Sequence, residues 1–327
     1  MGSTHLKALQ SVEGVTLEAV CSVDEKALSG DLSGVQGNLG GPGERMDFSN
    51  VKKYREVEAL LADPDIEAID ICLPTNYHAA AAIGALERGK HVLVEKPMAL
   101  DGESADQMLK AAEASGKILM SAQVLRFFPA YVALREALLS LGPVRSSVFR
   151  RRCAAPSWGG GWLKDPSLSG GGVFDLLIHD VDMAIHLFGV PESIEATGYE
   201  DASKGIDIIH GEFFYRDGAS VLVTGGWHHP KAYPFSMEYT VVADGGTVEY
   251  SSAGRAPTLY AADGTEKALE PKEQDGYAAE IDYFLQCCRS GLQPEICPPR
   301  ESAEAVKLTR LMIEARKQNG EKIACNL

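Results

Sequence analysis

Residues 89–100 read GKHVLVEKPMAL. The aliphatic run from His91 to Val94 predicts a buried strand, and that strand delivers Glu95 and Lys96 to its carboxyl end, the edge at which open α/β sheets bind ligands. Pro97 then restricts Lys96 to an extended backbone and admits a cis bond, which would fix the direction of its side chain. Taken alone, a lysine before a turn fits solvent exposure equally well. The flanking pattern gives the strand its context. Residues 55–62, 77–87 and 102–114 read as helices and residues 67–73 and 117–122 as strands, all with short connections. Such alternation implies a parallel sheet with helices on both faces. Upstream, Leu6, Leu9 and Val12 share one side of a short helix, and residues 15–21 form an apolar strand ending in Ser22 and Asp24. Helix followed by strand is the order of the second half of a dinucleotide-binding βαβ unit.

Beyond Phe128 the pattern changes. A helix over 129–140 and a strand over 144–152 lead to a Gly- and Trp-rich loop and a helix starting near Val173. The pairs Asp217-Gly218, Asp244-Gly245 and Asp263-Gly264 then separate apolar runs, and Asp-Gly in that position marks a hairpin turn whose residues tolerate positive φ. Three in succession predict an antiparallel meander, closed by helices over 277–289 and 301–318. The expected organisation is an α/β chain: a Rossmann-like parallel-sheet domain over 1–122, then an α/β domain over 123–327 with a large, open, mainly antiparallel sheet, whose last helices pack back on the first domain. The glycine-rich residues 29–46 lack the Gly-Lys-Ser/Thr of a phosphate loop and read as a mobile surface loop, and no GxGxxG occurs in the chain.

With 327 residues, 45% hydrophobic and a net charge of −15, the chain has material for a large core and opposes nucleic acid, whose phosphates require clustered Lys and Arg. Its one basic run, Arg150-Arg151-Arg152, reads as the solvated part of a strand. Seven cysteines without CxxC or zinc spacing fit reduced thiols in a cytosol. No apolar run is long enough to span a membrane, and the first residues lack the pattern of a signal peptide.

A second informative stretch is SGGGVFDLLIHDVDMAIHLFG, residues 169–189. Three glycines permit close backbone approach, and the helix that follows carries Asp175 and His179 at i and i+4, on one face. His179, Asp180, Asp182, His228 and His229 do not make a metal set, because Asp182 faces away from His179 on a helix, and no metal is expected.

These stretches, together with ADPDIEAIDICLPTNYH and LRFFPAY, resemble in order and across nearly the whole chain the Gfo/Idh/MocA family of oxidoreductases. The resemblance implies a Rossmann domain followed by an α/β domain whose open sheet floors the active site and often makes the oligomer contact, so a homo-oligomer is expected. It identifies Lys96 as the family's EKP lysine and Asp175 and His179 as its Asp-x-x-x-His pair. The first strand and most of the GxGxxG loop usual in the family have no counterpart in this sequence, and Gly2 matches the last glycine of that loop.

The implied reaction moves a hydride between nicotinamide and a hydroxyl or carbonyl of a sugar, polyol or related molecule, so NAD or NADP is expected. His179 would transfer the proton, Asp175 would orient it or bond a neighbouring hydroxyl, and Lys96 would hold the reacting oxygen. Glu95, beside Lys96, and Pro74, in PTNYH at the end of the preceding strand, are cofactor-edge candidates. Asn76 and His78 would border ribose and nicotinamide, although His78 suits a helix-lining role equally. Gln123 and Arg126 resemble family positions near the nicotinamide, and Arg126 is equally suited to an interdomain ion pair. Ser22 stands where an acidic residue would select NAD, with Asp24 two residues on, which leans toward NADP. Trp158, Trp162, His228, His229 and Tyr277 are substrate-pocket candidates. Two other readings remain: a glycosidase of the same fold using bound NAD, and an inactive nucleotide-binding scaffold.

Overall fold

A computed structural model describes residues 1–35, 43–157, 159–200, 207–270 and 273–327. The first half runs α1 (Gly2–Leu9), β1 (Ala19–Cys21), α2 (Glu25–Leu28), β2 (Lys52–Tyr54), α3 (Val57–Leu61), β3 (Ala68–Ile71), α4 (His78–Glu87), β4 (His91–Glu95), α5 (Gly102–Ser115) and β5 (Leu119–Ala122). Its strands are all parallel but form two separate sheets, β1-β2 and β3-β4-β5. Local signals set the helix ends. Asp101 accepts the Ser104 N–H at 2.8 Å to start α5, and Gly116, at φ 65°, ends it in the left-handed region that glycine adopts without a Cβ penalty.

The second half runs α6 (Pro129–Leu138), β6 (Val144–Ala154), α7 (Pro166–Ser169), a π-helical turn (Val173–Leu177), α8 (Ile178–Phe188), β7 (Ser193–Glu200), β8 (Asp207–Phe214), β9 (Ser220–His229), β10 (Ser236–Ala243), β11 (Gly246–Ser251), β12 (Arg255–Ala261), β13 (Glu266–Ala268), α9 (Gly276–Ser290), α10 (Pro299–Lys317) and β14 (Ile323–Ala324). All three Asp-Gly pairs sit between antiparallel neighbours, as their turn chemistry requires. The sheet is not a simple meander, however. Its order is β13-β12-β11-β10-β6-β9-β8-β7-β14, with β6 inserted between β9 and β10 and parallel to β9. Hairpin signals report only adjacent strands, so this insertion leaves no local trace. The expected strand over 15–21 is shorter, and residues 36–42 of the glycine-rich segment lie outside the described residues.

One face of the nine-stranded sheet packs against the helices. Phe149, Val223, Phe213, Ile209, Tyr239 and Val241 point inward into a core that continues through α8 and α10 and beneath β4. The other face is open, with Val148 and Val242 exposed. This alternation corrects the reading of the basic run. Arg150 and Arg152 lie on the outer side and pair with Glu238, whereas Arg151 turns inward, is 2% exposed, and holds Asp180 through two bonds of 2.8 and 3.0 Å. The last helices pack back on the first half, α9 along α1 and α10 against α5.

Arg126, just after β5, joins the two halves. Its guanidinium grips Asp182 of α8 at 2.8 and 2.6 Å and reaches Glu301 of α10 at 2.5 Å and the Ile296 carbonyl at 3.0 Å. Of the two roles open to Arg126, the buried ion pair is the one seen, although its partners all lie beyond residue 122, on the same side of the expected boundary as Arg126 itself. Removing the cation strands a fully buried carboxylate. Arg126→Leu is expected to cost about 3–5 kcal/mol in urea unfolding, with Arg126→Leu/Asp182→Leu recovering part of the loss; a single-variant cost below about 1 kcal/mol would contradict the clamp.

Candidate active site

The site forms where the carboxyl end of β4 meets the π-helical turn before α8. The aliphatic residues of β4 are fully buried, so the strand is fixed and Lys96 leaves its end across a cis Lys96–Pro97 bond. Opposite, the glycine triplet lets the turn lie close to its neighbours. A Cβ on Gly170, at φ 78°, would stand 2.5 Å from Phe174, and one on Gly172 would stand 3.2 Å from the Trp227 ring. The Lys96 ammonium thereby reaches the Asp175 carbonyl at 2.7 Å and its carboxylate at 3.2 Å. Among the described hydrogen bonds, the partner of Asp175 is Lys96 rather than His179.

His179 begins α8 one turn further on. Its Nδ1 is buried without a hydrogen-bond partner. Burial, reinforced by the Lys96 and Arg151 charges, holds the imidazole well below its usual pKa, so it is neutral at physiological pH. Glu95 is buried beneath Lys96. Burial works to raise its pKa, but the contact with His5 and the Lys96 charge prevail and keep the carboxylate ionised. Burial also raises Glu280 of α9 well above the usual carboxyl value; both of its oxygens lack partners, and His5 is the leading opposing charge.

A cleft of about 450 Å³ opens over these groups. It is lined by six of the residues singled out from sequence, Glu95, Lys96, Asp175, His179, Trp162 and Tyr277, and also by Cys72, Thr75, Phe128, Arg151 and Phe235, to which the sequence assigned no role in the site. Tyr277 is held there by an edge-on contact with Phe128, ring centroids 5.6 Å apart. Other candidates lie elsewhere. His78 is 1% exposed, and its ring nitrogens meet the Pro97 and Leu73 carbonyls at 2.9 and 2.8 Å, so it braces the strand ends rather than facing a ligand. Asn76 is exposed, and Gln123 is buried with both side-chain polar atoms unpartnered. His228 stands edge-on to Tyr199 and His229 stacks on Tyr233, outside the cleft lining. Trp158 lies outside the described residues. Pro74 precedes a short 3-10 turn at the cleft edge.

The residues present fit a nicotinamide dinucleotide. α1 opens at Gly2 with no side-chain cap, leaving its first N–H groups for a phosphate, and Ser3 and Thr4 line the cleft. Ser22 and Asp24 follow β1, where the adenosine ribose would be read; Asp24 is engaged in capping α2, accepting the Lys26 N–H at 2.9 Å. The His179 ring and the Lys96 ammonium line the opposite end, where a reacting hydroxyl would need them.

Known proteins share the two-part organisation of the chain. The model of an oxidoreductase family with an NAD-binding Rossmann fold matches residues 1–123, and that of the GFO/IDH/MocA C-terminal domain matches residues 132–249. D-xylose 1-dehydrogenase (NADP(+)) 2 of Haloferax volcanii is 30% identical over 264 residues, 78% of this chain and 79% of its own length. A scyllo-inositol 2-dehydrogenase (NADP(+)) of Bacillus subtilis is 25% identical, covering 82% of each chain. In fold, the aldose-aldose oxidoreductase of Caulobacter crescentus superposes with a TM-score of 0.83 over 98% of this chain and 95% of its own, at 21% identity. Rossmann-like parallel strands, a large mixed sheet and a lysine–aspartate–histidine cleft between them are thus found in a chain that belongs to the Gfo/Idh/MocA family of NAD(P)-dependent oxidoreductases.

Proposed function

We propose that this protein is a dehydrogenase or reductase that interconverts a CH–OH group and a carbonyl on a sugar, polyol or related small molecule. The observation that carries the reading is the pairing, in one cleft, of an ammonium fixed by Asp175 with a neutral imidazole that lines the same cleft. Bound nicotinamide supplies the hydride acceptor or donor. In oxidation, neutral His179 accepts the hydroxyl proton while Lys96 donates a hydrogen bond to the oxygen as it becomes a carbonyl; in reduction His179 returns that proton. Asp175 fixes the Lys96 side chain, which aims its charge before the substrate arrives. Trp162, Tyr277 and Phe235 line the cleft and offer apolar faces to a sugar ring, with Tyr277 adding a hydroxyl.

Relatives named for xylose and scyllo-inositol support a polyhydroxylated substrate, and both names specify NADP(+). Ser22 at the end of β1 supports the same cofactor, since it adds no negative charge against a 2′-phosphate. We place the boundary between the cofactor-binding and substrate-binding parts at residues 122/123, where β5 ends. A homo-oligomer through the open sheet face is the assembly we propose, supported by the exposed Val148 and Val242 there. Seven cysteines that form no disulfide support a reducing, cytoplasmic setting, and no helix among the described residues is long and apolar enough to cross a membrane.

Screening sugars and polyols with NADP and NAD should reveal stoichiometric cofactor turnover; product formation without net turnover would indicate the glycosidase chemistry instead. His179→Asn should lower kcat by about 10²–10⁴-fold. Because the base works when neutral and its pKa is depressed, the wild-type oxidation rate should hold steady down to about pH 6.5 and decline only below it. Lys96→Met removes one of the charges that depress His179, so the acid limb of its residual activity should move to higher pH; an unmoved limb would separate His179 from the proton transfer. Ser22→Asp should shift preference from NADPH toward NADH by at least about tenfold in fluorescence titrations, through repulsion of the 2′-phosphate.

A further inference from the structure

Three side chains from separate parts of the first half converge beside the cleft. His5 lies on α1, Asp70 on β3, and Cys72 just past the end of β3. His5 Nδ1 is 2.8 Å from Asp70 Oδ2 and 3.6 Å from Cys72 Sγ, and Sγ is 3.6 Å from Asp70 Oδ1. The other ring nitrogen, Nε2, faces Glu95 Oε1 at 3.0 Å. A neutral imidazole has one N–H, yet here each nitrogen meets a carboxylate. Electrostatic balance therefore calls for a positive charge at Nδ1, supplied either by a second proton or by a cation.

The spacing discriminates between the two. A tetrahedral zinc ion with bonds of about 2.0–2.3 Å sets its nitrogen, oxygen and sulfur ligands about 3.4–3.6 Å apart. The nitrogen–sulfur distance already matches, and so does that from sulfur to Asp70 Oδ1; Asp70 Oδ2, the oxygen now bonded to His5, needs to move off by about half an ångström as a proton is exchanged for the ion. Ligating histidines characteristically turn their second nitrogen to a carboxylate, the place Glu95 holds. We propose that His5, Asp70 and Cys72 form a binding site for one zinc-class divalent cation. His5 Nδ1, an Asp70 oxygen and Cys72 Sγ are its protein ligands, with a water completing the tetrahedron. Binding forms the metal–sulfur bond at the expense of the thiol S–H, whose proton passes to solvent. Asp70 is 40% exposed and Cys72 lines the cleft, so an ion has a route in. The site does not depend on the oxidoreductase reading, and its test reads no enzyme activity.

The test is a Co²⁺ titration of the purified full chain, followed by absorbance. One equivalent should give a near-ultraviolet sulfur-to-cobalt charge-transfer band, which Zn²⁺ then abolishes by displacement, as expected from its higher affinity. Cys72→Ser should eliminate the band, and Asp70→Asn should weaken cobalt binding by about tenfold or more, each in a chain whose circular dichroism matches wild type. Glu95→Gln, which leaves all three ligands in place, should weaken it by about 10–100-fold. Absence of the band at stoichiometric cobalt, or its persistence in Cys72→Ser, would overturn the proposal and leave an imidazolium between two carboxylates.

Discussion

The guanidinium of Arg126 is the contact on which the geometry of the cleft depends. Leaving the end of β5, it binds Asp182 in α8 and Glu301 in α10, and so fixes the helix that carries His179 relative to the sheet that carries Lys96. Both Arg126 and Asp182 are almost wholly buried, where a bidentate pair is strongly directional and a missing partner is costly. Arg151 and Asp180 repeat the device at the residue next to His179, between β6 and the same helix. α8 is therefore held from two sides by buried ion pairs, and the π-helical turn before it delivers Asp175 to Lys96.

That rigidity has an electrostatic consequence. The charges that lock the structure also act on the cleft: Arg151 and Lys96 both oppose protonation of His179. A neutral histidine beside a fixed ammonium is a combination that favours proton acceptance by one group and stabilisation of an oxygen by the other. Burial contributes the larger part, which ties the proton affinity of His179 to core packing as closely as to its charged neighbours.

Much of this was legible in the chain. Strand β4 is an aliphatic run that ends in Glu-Lys-Pro, and its place at a ligand-binding sheet edge follows from the alternation around it. The i, i+4 spacing of Asp175 and His179 and the glycines before them gave the second side of the cleft. Other features had no local trace. Arg151 looked like one of three solvated arginines because a basic run does not state which member faces inward; only the alternation of β6 against a helix-covered face does. His78 and Arg126 were each compatible with two roles, and the acceptors that decide between them lie 19 and 56 residues away. His5, Asp70 and Cys72 are likewise invisible as a set, with 65 residues between the first two.

Sequence by itself determined what depends on short-range periodicity and on chemistry at fixed spacing: the parallel strand-and-helix order of the first half, the three hairpins, and the stretches that carry Lys96, Asp175 and His179. Tertiary structure alone decided where β6 inserts in the large sheet, which charges are buried together, that Asp175 binds Lys96, and that His179 is kept neutral. The physical reason is range. Turn geometry, capping and amphipathic faces are settled by residues a few positions apart, whereas desolvation and Coulomb interactions depend on distance in space, which folding sets between residues that sequence leaves far apart.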